Sequence, residues 1–172
     1  TALSLSDLGV VLNELERSQE AEKAYRASAA ILDALLPASD PRVAYPHGNL
    51  AGLLRETGRL AEAEVEARKA LSIRRKALGE RHAETANTIG QLARILLELG
   101  RLPEAEAAAR VALSISEGRD RFNAAQARSL LASVLLKQGQ AADALALFEQ
   151  CVVEHRDLLP PEHILNYSIQ VN

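Results

Sequence analysis

The chain has 172 residues, enough for one domain with its own core or for several small units that share one. Hydrophobic residues make up 48% but aromatics only 3%, with no Trp and no Met, so the interior has to be built from Ala, Leu, Ile and Val, a composition suited to close helix packing and unsuited to a sheet. A net charge of −3 with both signs interspersed excludes a surface made to neutralise nucleic-acid phosphates or to lie on an anionic membrane, and no apolar run approaches the roughly 20 residues that span a bilayer.

Taken in chain order, the hydrophobic spacing predicts helices at 3–15 and 19–36, 42–57 and 61–78, 83–99 and 103–117, and 122–138 and 142–158. The first pair holds "DLGVVLNELERSQEAEKAYRASA" from Asp7. The second repeats it as "NLAGLLRETGRLAEAEVEARKAL" from Asn49, an offset of 42 residues. Another 42 residues on comes "QLARILLELGRLPEAEAAARVAL" from Gln91, and 39 later "LLASVLLKQGQAADALALFEQCV" from Leu130. The repeats therefore run over about 2–43, 44–85, 86–124 and 125–166, with the start of a fifth at 167–172, all in one repeat domain. Pro46 lies early in the third helix and is expected to delay or kink its first turn. Pro103 opens the sixth, where a missing N–H costs nothing.

Aligned columns carry the chemistry of the pattern. Leu8, Leu50, Leu92 and Leu131 share one column, and Leu12, Leu54, Leu96 and Leu135 another, four residues on and so on the same helical face. Gly9, Ala51, Ala93 and Ala132 are the small residues between them, which admit a neighbouring helix. Gly58, Gly100 and Gly139 close the first helices, and Glu16 stands in that column in the first copy. Ala21, Ala63, Ala105 and Ala144, then Ser28, Ala70, Ala112 and Cys151, mark the packing stripe of the second helices. Each copy reads as two antiparallel helices whose apolar stripe only a stacked neighbour can bury. The fold class is all-α, a solenoid of helix pairs.

The pattern Leu50, Ala51, Leu54, Gly58, Leu60, Ala63, Ala70 resembles the tetratricopeptide repeat. The long period, with "ALGERHAET" between hairpins, is similar to the 42-residue variety of kinesin light chains and of many bacterial multi-repeat proteins. Gly79 and His82, Asp40 and Pro41, and His163 match parts of that family's connection; the missing Gly at Glu16 and a shorter connection around Gly118 to Arg121 depart from it. The resemblance implies a right-handed superhelix that binds a protein or an extended peptide in a groove lined by the first helices. In register, the groove positions it implies are Ser6, Asp7, Val10 and Asn13; Tyr45, Asn49, Gly52 and Arg55; Asn87, Gln91, Arg94 and Glu98; and Gln126, Ser129, Ser133 and Lys137. Asn and Gln there suit a peptide backbone, and Arg55 and Arg94 suit a carboxylate. The cation set with which clamps of this family grip chaperone C-termini is absent, since Ser6, Val10, Asn87 and Gln91 occupy those places.

Candidates for catalysis are few, and each has a structural explanation. Cys151 and His155 are four apart on one helix, yet Cys151 falls in a small-residue packing column. His82 and His163 recur in connections, and His47 stands alone in the sequence. The pairs Glu62/Glu64 and Glu104/Glu106 sit where a helix N-terminus favours acids. No phosphate loop, metal motif or nucleophile elbow is present, so neither an enzyme nor a cofactor is expected.

The expected function is a protein- or peptide-binding scaffold with no nucleic-acid or membrane partner. The alternative is a regulatory or oligomerisation module of a larger bacterial signalling protein or enzyme. An RNA-reading helical repeat would need a basic groove and a shorter period. The lone cysteine suits a reducing compartment, hence the cytoplasm, and the Ala, Leu, Arg and Glu richness suggests a GC-rich bacterial source. Ile164, Leu165, Tyr167, Ile169 and Val171 leave the last repeat without a polar cap, which predicts either a longer array or self-association through that end.

Overall fold

A computed structural model describes residues 1–156. Among them, eight α-helices form four hairpins: α1 (Ala2–Glu14) with α2 (Ser18–Leu35), α3 (Ala44–Glu56) with α4 (Leu60–Leu78), α5 (Ala83–Glu98) with α6 (Leu102–Ser116), and α7 (Arg121–Lys137) with α8 (Ala141–Arg156). Every helix predicted from the sequence is present within two residues at each described end. The start of a fifth repeat at 167–172, with His163, lies outside the described residues.

Pro46 does not kink α3. A 3₁₀ turn, Pro41–Val43, precedes the helix, Asp40 caps it by accepting from the Arg42 amide at 3.0 Å, and Pro46 falls within the first turn, where no intrahelical donor is required.

Successive helices pack in chain order. First helices also touch the next first helix, α1 with α3, α3 with α5 and α5 with α7, whereas second helices make no comparable contact among the described residues. A stack whose one row converges while the other splays is curved, so the first helices line its inner side.

The predicted columns form the core. Leu50, Leu54, Leu96, Leu131 and Leu135 are essentially inaccessible, as are Ala21, Ala63, Ala105 and Ala144, and Ile95 and Val134, outside those columns, join them. Each buried Leu or Ile contributes about 1.5–3 kcal/mol through water exclusion, and the alanines let the helix backbones approach closely enough to gain it. Leu8 departs from its column: it is 49% exposed, where Leu50, Leu92 and Leu131 are buried, because no described helix packs on that side of α1. Gly9 departs in another way. Its neighbour Tyr25 fills the column held by Ala67 and Ala109, and a Cβ at position 9 would lie 2.5 Å from the Tyr25 ring. A large residue on α2 thus takes the space that alanines share in the interior hairpins.

All four hairpin turns close alike. The Arg17 amide donates to the Leu12 carbonyl at 2.9 Å, Arg59 to Leu54 at 2.8 Å, Arg101 to Leu96 at 2.9 Å and Gln140 to Leu135 at 2.9 Å. Gly58, Gly100 and Gly139 supply the left-handed residue this bond pattern needs, and Glu16 adopts it as well, at φ 58°.

Along the edge of these turns runs an ion-pair ladder. Arg59 gives Nε and Nη2 to Glu62 in its own hairpin and Nη1 to Glu22 of the hairpin before, at 2.7 Å. Arg101 does the same with Glu104 and with Glu64, at 2.6 Å. Burial would raise the Glu64 carboxyl pKa, but the hydrogen bonds from Arg68 and Arg101 outweigh it and hold the group below its ordinary value.

Candidate functional site

The inner face holds a cleft of about 450 Å³ between α3, α5 and α7, with α6 at its floor. Six of the residues predicted for the groove line it: Gly52, Arg55, Asn87, Gln91, Arg94 and Gln126. Helical spacing brings them together, because residues three or four apart on one first helix share a face and the converging first helices set those faces side by side.

Their side chains differ in how much of their hydrogen-bonding capacity is spent. Gln91 Nε2 donates to the Gly48 carbonyl at 2.7 Å and so staples α5 to α3. Arg55 Nη1 donates to Glu98 at 2.8 Å, also linking α3 and α5, with Glu56 at 3.5 Å. Asn13 and Glu56, at 3.1 Å, make the matching link one hairpin earlier. Arg94, Asn87 and Gln126 are exposed, and none has a polar partner among the described residues. Arg94 is therefore the cleft's unspent cation.

The structure adds cleft residues that the columns do not flag. Phe122, at the start of α7, lines the cleft and is 69% exposed. Asn123 lines it beside a cap in which Asp120 accepts from the Asn123 amide at 3.0 Å. Phe122 lies outside the repeated core columns, and its one sequence signal is scarcity, as the chain has only two Phe.

Other predicted positions lie elsewhere. Tyr45 borders a separate hollow of about 390 Å³, with Asp7, Arg42, Arg74 and Glu84 on its walls. Burial lowers the Arg74 pKa there, against the pull of Glu84. Asn49 is half-buried, and its Nδ2 is buried without an acceptor among the described residues. Ser133 Oγ donates to the Ser129 carbonyl at 2.9 Å, inside α7. Glu98 is held by Arg55, and Lys137 is exposed at the end of α7. Ser6 is buried, donating to Ser28 Oγ at 2.7 Å, so it is not a groove residue.

His47, alone in the sequence, is not alone in the fold. It is 3% exposed, with Nδ1 2.6 Å from Glu66 and Nε2 3.4 Å from Asp33, which also pairs with Lys69 at 2.7 Å. This cluster ties α2, α3 and α4 together. Hydrogen bonding to His47 holds the Glu66 carboxyl below its ordinary pKa, with burial opposing. Cys151 is buried with its thiol 3.7 Å from the Ala125 carbonyl, in the packing column that the sequence assigned to it. Among the described residues no group of three or more His, Cys, Asp or Glu is placed to hold a metal, and no helix is long and apolar enough to cross a membrane.

Profiles of the tetratricopeptide repeat match residues 42–118 and, separately, residues 1–41 and 124–165. A search of curated proteins returned no match. Among solved structures, BtubC (BKLC) from P. vanneervenii superposes with a TM-score of 0.84 at 20% identity, over 91% of this chain and 64% of its own. Nearly identical TPR-like repeats assigned to a kinesin light chain of Podosopora anserina give 0.80 at 23% identity, over 93% and 77%. A Rap protein complexed with Competence and Sporulation Factor gives 0.76 at 19% identity, over 89% and 42%. At these identities the likeness is one of fold, and the chain spans less than two thirds of BtubC.

Proposed function

Since the chain belongs to the tetratricopeptide repeat family, we propose that it is a scaffold that binds an extended segment of another protein along its inner face, seated in the cleft between α3, α5 and α7. The observation that carries this reading is the company that Arg94 keeps. An unpaired guanidinium, two unpaired amides, Asn87 and Gln126, and an exposed Phe122 ring share one cleft, while the neighbouring Arg55 and Gln91 are already committed to holding the helices. Arg94 suits a carboxylate, from an acidic side chain or a chain terminus; the amides can donate to and accept from a peptide backbone; and Phe122 offers an apolar ring to a hydrophobic side chain. The complexed Rap protein, of the same fold, supports the reading by analogy.

The test is selection of peptides from a random display library against the full chain, followed by affinity measurement on variants. Selected peptides are expected to carry an acid and a large apolar residue. Arg94→Ala should weaken them by about 1.5–3 kcal/mol, the range for a hydrogen bond to a charged group, and Phe122→Ala by about 1 kcal/mol. Arg55→Ala should instead lower stability. If an Arg94→Ala, Phe122→Ala double variant bound the selected peptides unchanged, the cleft would not be the seat.

A further inference from the structure

The joint between α3 and α5 and the joint between α5 and α7 share one register, and the first is full where the second is open. Between α3 and α5 the space over Gly48 is taken by two long polar side chains: a Cβ there would lie 3.9 Å from Arg74 Nη1 and 3.9 Å from Gln91 Oε1. The Arg74 side chain is 14% exposed, with Nη1 donating to Thr88 Oγ1 and Nε 3.4 Å from a Glu84 oxygen. One repeat on, the residues in these places differ. Gly90 stands for Gly48, Ser116 for Arg74, Asn123 for Glu84, Ala127 for Thr88 and Leu130 for Gln91. All five line the inner cleft.

The replacements share a direction. A guanidinium, a hydroxyl and an amide give way to a short serine, a methyl group and an aliphatic chain, so the space loses both its filling and the polar groups that held that filling. Asn123 is turned away to Asp120, to which its Nδ2 donates. Packing gives no reason for glycine at position 90. It lies inside α5, where glycine is a poorer helix former than alanine, and a Cβ there would meet nothing within 4 Å among the described residues beyond its own helix backbone. What the missing side chain supplies is room against the backbone of α5.

We propose that the space over Gly90 is a pocket for one large apolar side chain of the bound segment of another protein, a Leu, Met or Phe that enters between α5 and α7 and rests on Ala127 and Leu130. This deepens the scaffold reading and rests on the inner cleft being the seat of that segment. It adds a second fixed point to Arg94, whose charge complements an acid. Gly90 and Arg94 are one turn apart on α5, about 6 Å along its axis. Alternate side chains on one face of an extended chain are about 6.6 Å apart. The segment therefore lies along α5 with a large apolar residue and an acidic one two positions apart, both facing the helix. The joint between α3 and α5 offers no second pocket of this kind, because Arg74 and Gln91 occupy it.

The probe is a displayed library of random decapeptides, selected against the full chain and against its variants. Gly90→Leu fills the pocket from α5, and Ser116→Arg with Ala127→Thr rebuilds from the other side the filling that Arg74 and Thr88 make one repeat earlier. Arg94→Ala leaves the pocket open and removes the cation. The wild-type chain should enrich Leu, Met or Phe two positions from Asp or Glu. On both filled variants the acid should persist and the apolar preference vanish, and peptides selected on the wild type should bind about tenfold or more weakly, the loss of one buried side chain. On Arg94→Ala the apolar preference should persist and the acid vanish. Gly90→Leu should also raise the denaturation midpoint, since leucine is the better helix former, which separates loss of binding from loss of fold. Peptides that need Arg94 and ignore both fillings would overturn the pocket and leave the scaffold reading standing, whereas failure of the wild type to select any peptide would overturn both. Enrichment of the two residues at no fixed spacing would overturn the placement along α5. Self-association of the chain that Gly90→Leu abolishes would make the occupant a second copy and overturn the assignment to another protein.

Discussion

The first hairpin and the second are built from the same columns and solve them differently. In the second, Leu50 is buried, Ala51 and Ala67 share the space between the helices, Gly58 turns the chain, and Arg59 bridges two hairpins. In the first, Leu8 faces outward, Gly9 and Tyr25 divide that space as nothing and a ring, Glu16 turns the chain, and Arg17 reaches only its own hairpin. The turn and the backbone path survive all four changes. The repeat is therefore specified by many weak, mutually supporting choices, and one hairpin can trade several of them without losing the turn.

The sharpest way to break the comparison is at Tyr25. Tyr25→Ala should cost about 3 kcal/mol or more, because it empties a buried site beside a glycine that cannot refill it. Gly9→Ala alone should cost about 1–3 kcal/mol by driving a methyl group into the ring. Together they recreate the Ala51/Ala67 pairing, so chemical denaturation of the double variant should give a loss clearly smaller than the sum. Additive losses would mean that the two residues are not coupled as the 2.5 Å approach requires.

His47 is the next largest effect and belongs to the junction of the two hairpins. His47→Ala should lower stability by about 2 kcal/mol through the loss of a buried hydrogen-bonding partner. Its pH signature has a definite sign. The Glu66 pKa is depressed in the fold, so the stabilisation is complete above the unfolded carboxylate pKa of about 4.3 and is lost as pH falls through the lower folded value. Stability curves of His47→Ala should therefore be flatter than wild type below about pH 4. An unchanged acid slope would remove His47 as the cause.

The smallest change sharpens the comparison at the turn. Glu16→Gly should raise the stability to chemical denaturation by about 0.5–1 kcal/mol, because glycine carries no Cβ penalty at φ 58°. Gly58→Glu, the reverse swap in the interior hairpin, should lower stability by about 1 kcal/mol. Asn49→Ala is expected to leave stability within about 0.5 kcal/mol, since its buried Nδ2 has no acceptor to lose.

Helix positions were legible because the residues at Leu50, Leu54 and Ala63 recur in every copy and the place of Ala70 always holds a small residue, and packing needs the same residue sizes at each joint. Six of the sixteen groove positions expected from the resemblance come together in one cleft, and others are spread over other parts of the fold or spent within the helices. Arg55 with Glu98 could have been read as a bridge, since the two lie 43 residues apart, one more than the period, and carry opposite charge. Phe122 could not have been read in this way, because it lies outside the repeated columns.

What the sequence determined by itself is the repeated part: an all-helical stack of hairpins, with each helix placed by the period of its apolar residues and each turn by the residue that closes it. Tertiary structure alone decided which polar groups remain available. Whether Arg94 is unspent while Arg55 is bound, and whether His47 is isolated or clamped between carboxylates, depend on partners 14 to 43 residues away. The physical reason is that periodicity reports what every copy must do to pack, whereas a binding site is made of what individual copies leave unpaired.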